Sequence, residues 1–161
     1  MTIFDHSLYM DLAIEQAHKA QQAGEVPVGA VLLAADGRIL ARAYNRSIGL
    51  HDPTAHAEML AIRRAAAQLR NYRLLSTTLY VTIEPCVMCM GAVIHARIGT
   101  VVFGTHDPKW GAAGSLYHFA ADHRLNHQPA VVGGVRADKC RALIQTFFQQ
   151  RRQWSRQCPT S

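Results

Sequence analysis

Thr77-Thr-Leu-Tyr-Val-Thr-Ile83 runs directly into Glu84-Pro85-Cys86-Val-Met-Cys89-Met90, and this passage decides the fold. β-Branched and aromatic residues over Thr77–Ile83 predict a buried strand. Pro85 suits the first residue of a helix, which the apolar residues extend to about Arg97. Thr100–Gly104 then reads as a second strand, followed by a Gly-rich loop over His106–Gly114. A strand, a helix and a further strand in succession indicate an α/β unit.

The rest of the chain extends this unit on both sides. Upstream, Val28–Leu33 and Ile39–Tyr44 flank Asp36-Gly37, a pair suited to a tight hairpin turn. Met10, Ala13, Ile14 and Ala17 recur at helical spacing and predict a first helix over about 7–23. Asp52-Pro53-Thr54 reads as the start of a second helix, with Met59, Ile62, Ala66 and Leu69 on one face. Downstream, a short helical stretch near Leu116–Ala121 and a fifth strand over Ala130–Val135 precede a closing helix. Cys140, Leu143, Ile144, Phe147 and Phe148 form its apolar face. The expected fold class is α/β, a mixed sheet with helices on its faces. With no repeat or linker in view, residues 1–161 read as one domain ending in a basic helix at about 137–156.

Composition excludes several classes. With 49% hydrophobic and 17% charged residues, the chain is typical of a globular protein rather than a disordered one. Met1 to Asp11 lacks a basic region followed by an apolar stretch, and no apolar run approaches the ~18 residues of a membrane span. A cytoplasmic location is expected, with no membrane partner. There, a Cys-x-x-Cys pair points to metal or redox chemistry rather than a disulfide. The formal charge of +6 favours a polyanionic partner.

Chemistry concentrates in His56-Ala57-Glu58 and Pro85-Cys86-Val87-Met88-Cys89. Cys86 and Cys89 share a helix face and can bind one ion. His56 and Glu58, two apart, converge only if that ion lies beyond their helix N-terminus. Two helix N-termini would then face one point, and their dipoles would lower the thiol pKa values. Imidazole with thiolates suits zinc. Three ligands leave a position for water, and Glu58 is the candidate general acid and base. The alternative is a closed structural zinc with His51 or Cys140 as fourth ligand, although Cys140 falls on the apolar face of the last helix.

Other residues carry two readings. Asn45 ends the second strand and reads from spacing as a turn residue. Glu84 suits a hydrogen-bonding role that holds a loop. Arg63, Arg64, Arg70 and Arg73 form either a solvated face or a phosphate contact. Arg151, Arg152 and Arg156 follow Phe147-Phe148, a combination suited to an unstacked nucleotide, though at least one phenylalanine is expected in the core. Met88, Met90, Val93 and Ile94 make the third helix apolar on more than one side, as in a buried helix or a subunit contact.

His-Ala-Glu followed by Pro-Cys-x-x-Cys resembles the cytidine deaminase superfamily. Glu25-Val-Pro-Val-Gly-Ala30, Asn45-Arg-Ser-Ile-Gly-Leu-His-Asp-Pro-Thr-Ala-His-Ala-Glu58, Asn71-Tyr-Arg-Leu74, Thr78–Cys89 and Gly111-Ala-Ala-Gly-Ser115 resemble the bacterial tRNA-specific adenosine deaminases. The likeness runs from about residue 7 to 152. It implies a three-layer α/β/α cytidine-deaminase-like fold with a five-stranded sheet, a homodimer, and one Zn2+ per subunit. It also implies conversion of wobble adenosine to inosine in the anticodon stem-loop of a tRNA, an arginine tRNA by family habit. By motif position His56, Cys86 and Cys89 become zinc ligands and Glu58 the proton shuttle. Asn45 becomes a contact to the purine edge, Asp107 and Lys109 border the substrate, and Phe148, Arg151 and Arg152 lie against the RNA.

The backbone N–H of Ala57, at a helix start, is a further candidate to stabilise developing charge. Pro108 and Trp110 depart from the small or polar residues expected in their loop, and the tail after Arg156 has no match. Two rivals remain: a deaminase of a free base or nucleotide such as guanine or cytosine, and a non-catalytic zinc-stabilised RNA-binding module.

Overall fold

The computed structural model describes residues 3–158, so the ends of the expected domain, residues 1–2 and 159–161, lie outside the described residues. β1 (Gly29–Leu33) lies between β2 (Ile39–Tyr44) and β3 (Thr78–Ile83) and is antiparallel to both. β4 (Thr100–Thr105) and β5 (Ala130–Val132) continue the sheet parallel to β3, in the order β2-β1-β3-β4-β5. Successive strand residues face opposite layers. Leu79, Val81, Val101 and Phe103 pack with α2 (Ala57–Leu69) and α3 (Val87–Ala96). Tyr80 and Val102 pack with α1 (His6–Gln22) and α4 (Ala137–Gln157). The result is the expected three-layer α/β/α fold on a mixed five-stranded sheet. No helix among the described residues is long and apolar enough to cross a membrane.

Several boundaries differ from the sequence expectation for local reasons. α2 begins at Ala57 rather than near Asp52, because Asp52 Oδ1 accepts the N–H and hydroxyl of Thr54 and closes a separate turn. His56 is thereby left as the N-cap. Likewise Cys86 occupies the N-cap position of α3, so Pro85 precedes the helix instead of opening it. The hairpin between β1 and β2 is looser than a two-residue turn: Ala34 N–H donates to the Arg38 carbonyl, and a bulge falls at Leu32/Leu33. Gly37 there adopts φ +84°, which glycine tolerates freely. β5 stops at Val132, before Gly133-Gly134. The helical stretch near Leu116–Ala121 is a 3-10 turn over Phe119–Ala121.

The buried stripe of α2 also differs. Ala57, Ala61 and Ala65 are buried beside Glu58, while Met59 and Ile62 are only half-buried and Leu69 is exposed. Small side chains let the helix lie close to β1 and β2, and the larger ones flank the contact. α1 uses the same device against β1. A Cβ on Gly29 would collide with the backbone of Ala13 and Ala17. Gly29→Ala should therefore destabilise the fold by about 1–3 kcal/mol, through overpacking with no change of charge. The midpoint of urea unfolding checks this, and an unchanged midpoint would mean that α1 can move away at little cost.

Candidate metal centre and active site

The site forms where β3 and β4 end. β3 leads through Glu84 and Pro85 to Cys86, and β4 leads through His106 into the 107–115 loop. The carboxyl ends of parallel strands are the usual place for a ligand crevice in such sheets. His56 and Cys86, the N-caps of α2 and α3, make no side-chain capping hydrogen bond, and Cys89 lies one turn into α3.

His56 Nδ1 is 3.7 Å from Cys86 Sγ and 3.6 Å from Cys89 Sγ. Ligands on a tetrahedral zinc, at about 2.0–2.1 Å for nitrogen and 2.3 Å for sulfur, stand roughly 3.5–3.6 Å apart. The donor set and its spacing fit zinc. Among the described residues this triad is the metal-binding cluster found, and neither His51 nor Cys140 joins it. Cys140 is instead core, packed with α1 and β4.

The sulfurs behave unequally. Cys86 is drawn down to about 4, first by its hydrogen bond with Cys89, with His56 helping against burial. Cys89 is shifted upward, because Cys86 and burial hold its proton. The expectation of two lowered thiols therefore holds for Cys86 alone. Cys89 sits deeper, and only a cation shared by both sulfurs makes two thiolates favourable there. His56 is shifted upward, chiefly by Cys86.

Glu58 is 2% exposed, and its Oε2 has no hydrogen-bond partner among the described residues. Burial pushes its carboxyl up to about 7, with His56 opposing. An unpaired buried oxygen costs on the order of 1–3 kcal/mol, so this one is oriented for a group that the protein does not itself supply. It lies beside the donor triad but outside it, as a proton carrier must.

Asn45 has a structural role and also lines the cavity. Its Oδ1 accepts the Ala57 N–H at 2.8 Å, which leaves the amide nitrogen as the donor available to the cavity. Ala57 N–H was expected to be free for substrate. It is already paired, because Asn45 supplies the helix start with the cap that His56 does not.

Glu84 holds the loop, as its position suggested. Its Oε2 accepts the Asp107 N–H, its Oε1 accepts those of Ala113 and Ser115, and the Ser115 hydroxyl donates to it as well. Burial would raise its pKa, but these hydrogen bonds outweigh burial and hold it below the usual carboxylate range. A Cβ on Gly111 would strike the Glu84 carboxylate, so only glycine allows this approach.

A cavity of ≈ 1410 Å³ opens over the triad. Its lining brings together Asn45, His56, Glu58, Cys86, Asp107, Lys109, Phe148 and Arg152 from distant parts of the chain. Arg151 is not among the lining residues. Its guanidinium lies over the Phe147 ring, one position round the helix from Arg152. Phe147 is half-buried and Phe148 is 41% exposed, so neither is fully core. Arg63, Arg64, Arg70 and Arg73 are exposed and stand outside the lining. Arg141, Gln145 and Gln149, which sequence reasoning missed, line the cavity with Phe148 and Arg152. Counting back from Arg152 in helical steps of three and four finds this face.

Glu84→Ala removes the acceptor for three backbone N–H groups at once, and should lower unfolding free energy by roughly 3 kcal/mol while zinc content stays at one per chain. Urea unfolding and atomic absorption read the two quantities. Loss of zinc with unchanged stability would assign Glu84 to the metal instead of the loop.

The cytidine and deoxycytidylate deaminase zinc-binding region matches residues 4–105, which include all three donors. The tRNA-specific adenosine deaminase of Haemophilus influenzae is 50% identical over 150 residues, spanning 93% of this chain and 86% of that protein. The Bacillus subtilis protein of the same name is 48% identical over 145 residues, spanning 90% of this chain and 89% of that one. A solved structure from biochemical and structural studies of A-to-I editing by tRNA:A34 deaminases at the wobble position superposes with a TM-score of 0.82. It is 42% identical and covers 85% of this chain and 99% of that one. With the zinc-binding region matched over residues 4–105 and near-complete coverage at 50%, 48% and 42% identity, the chain belongs to the zinc-dependent deaminase family, in its tRNA-specific adenosine deaminase branch.

Proposed function

We propose that this chain hydrolyses adenosine to inosine and ammonia at the wobble position of a tRNA anticodon loop. The observation that carries the reading is the buried, unpartnered Glu58 carboxylate beside a three-donor centre, at the floor of a cavity with an aromatic and basic rim. His56, Cys86 and Cys89 would hold zinc, which when bound would supply an activated water near neutral pH. Glu58 takes up a proton from the water that attacks C6 and delivers it to N1 of the base; it then moves the second water proton to the amino nitrogen, so that ammonia leaves as the C6 carbonyl forms. The Asn45 amide nitrogen donates to an acceptor on the purine edge, and the Ala57 hydrogen bond keeps that amide from rotating. Lys109, Arg141 and Arg152 face the phosphates, and Asp107 borders the loop.

A free-base deaminase has no need for a rim with three cations and an exposed Phe148. A non-catalytic RNA module has no use for the Glu58 carboxylate. The same reading treats residues 1–161 as a single deaminase domain ending in a basic helix, acting in the cytoplasm on an arginine tRNA. It also pairs two chains, each with one zinc. Exposed Ile48, Leu50, Val87, Leu116 and Tyr117 supply apolar surface for such a contact.

Glu58→Ala should retain zinc and lose about 10²–10⁴-fold in turnover, the usual contribution of a general acid–base group. Single-turnover assays with metal analysis check this, and metal loss would recast Glu58 as a ligand. An anticodon stem-loop with a wobble adenosine should be converted to its inosine form while free adenosine, cytidine and guanine stay unchanged. Its binding constant should fall with salt at a log–log slope of about −2, from three phosphate contacts at about −0.7 each. Turnover of a free base with the stem-loop untouched would overturn the substrate, and salt-insensitive binding would remove the cations from it.

A further inference from the structure

Trp110 has no part in the deamination chemistry, yet 67% of it is exposed on the lining of the same cavity. Tryptophan gains more from burial than most side chains, so an indole left this open calls for a partner. The backbone beneath it is already ordered. Asp107 Oδ1 accepts the N–H groups of Lys109 and Trp110, and Gly111 N–H donates to the Asp107 carbonyl at 2.9 Å. Pro108 sets φ at the second position of this turn. Glu84 pins its start through Asp107 and the following segment through Ala113 and Ser115. The indole is therefore displayed on a fixed turn, and little backbone entropy remains to be lost when it binds.

Its surroundings specify what it binds. Lys109, Arg141 and Arg152 line the cavity with Trp110 and Phe148. Aromatic faces interleaved with cations fit unstacked bases on a phosphate backbone, and stacking accepts any base. The edited base itself must reach Glu58 at the floor, where 2% exposure leaves no open rim. Trp110 is on the rim. We propose that Trp110 is a stacking platform for a nucleotide adjacent to the edited one, so that the loop is gripped through a flanking base as well as through its target. This rests on the RNA reading given under the proposed function.

The test uses the zinc-loaded protein and the anticodon stem-loop. The chain has two tryptophans, so Trp154→Phe leaves Trp110 as the single indole reporter. Titration with the stem-loop should quench its emission strongly and saturably. In deamination assays Trp110→Ala should raise KM about tenfold with a much smaller change in kcat. Trp110→Phe should recover most of the loss, and Trp110→Leu, apolar but without a π face, should not. Stem-loops with an abasic site 5′ or 3′ of the edited position locate the partner. At one of them the penalty should be large for the parent protein and nearly absent in Trp110→Ala.

Unquenched emission with RNA bound, recovery by leucine equal to that by phenylalanine, or additive penalties at both flanks would each overturn the platform. So would emission that ignores RNA but shifts to the blue as protein concentration rises, which would assign the indole to a second copy of the chain. Quenching without stem-loop deamination would reject the substrate reading and leave Trp110 a nucleotide-stacking residue with no edited neighbour, whereas deamination without quenching would keep the substrate and overturn the platform.

Discussion

α2, α3 and α4 all begin on residues that make no side-chain capping hydrogen bond, and in α2 and α3 the arrangement of the site follows from that constraint. α1 shows the ordinary solution, with Asp5 accepting the N–H groups of Ser7 and Leu8. α2 and α3 instead place His56 and Cys86 at the cap and direct both side chains to a common point. An uncapped start forgoes about 1 kcal/mol in each helix. For α2 the loss is offset from outside, because Asn45, beyond β2, accepts the Ala57 N–H. Donor placement, helix capping and amide orientation are one linked arrangement. An Asn45 substitution would therefore act on the start of α2 as well as on the cavity lining.

The sheet supplies the second half of the arrangement. β3 and β4 run parallel, so their carboxyl ends are neighbours and the segments leaving them start from the same edge. Glu84 sits at that edge and ties the two exits together through the 107–115 loop. A carboxylate buried this deeply is costly alone, but hydrogen bonds from several donors stabilise its ionised form. The contrast with Glu58 is informative. Both are 2% exposed, but Glu84 has its hydrogen bonds filled and is held ionised, while Glu58 is left short of partners and is shifted toward neutrality. One carboxylate is a fixed anchor and the other can exchange a proton.

Much of this was legible in the sequence because it depends on local pattern. The β-branched and aromatic run in Thr77–Ile83 marked the central strand, and the spacing of Cys86 and Cys89 marked a shared helix face. His56 at the start of α2 followed from needing all three donors to converge. The missing parts depend on contacts between distant segments. Large residues such as Met59 and Leu69 suggested the wrong buried stripe for α2, because close helix–sheet approach selects alanine over bulk. Asp52 and Thr54 carried a helix-start signal that a tight turn uses equally well. The occupation of Ala57 N–H by Asn45, and the turn of Arg151 away from the cavity, depend on tertiary geometry that no local motif encodes.

α4 explains why chemistry and recognition can be separated. Only Cys140 is fully buried on this helix, and every residue from Phe148 onward is exposed. Its N-terminal half is anchored to the sheet through Cys140, which packs so closely that a Cβ on Gly104 of β4 would strike it. Its C-terminal half projects along the cavity, with Arg152 on the lining face and Arg151 over Phe147. Substitutions on this face change the cavity lining without disturbing the donor triad, whose positions are set by α2, α3 and the end of β3. The buried floor admits few changes, and the exposed rim admits many.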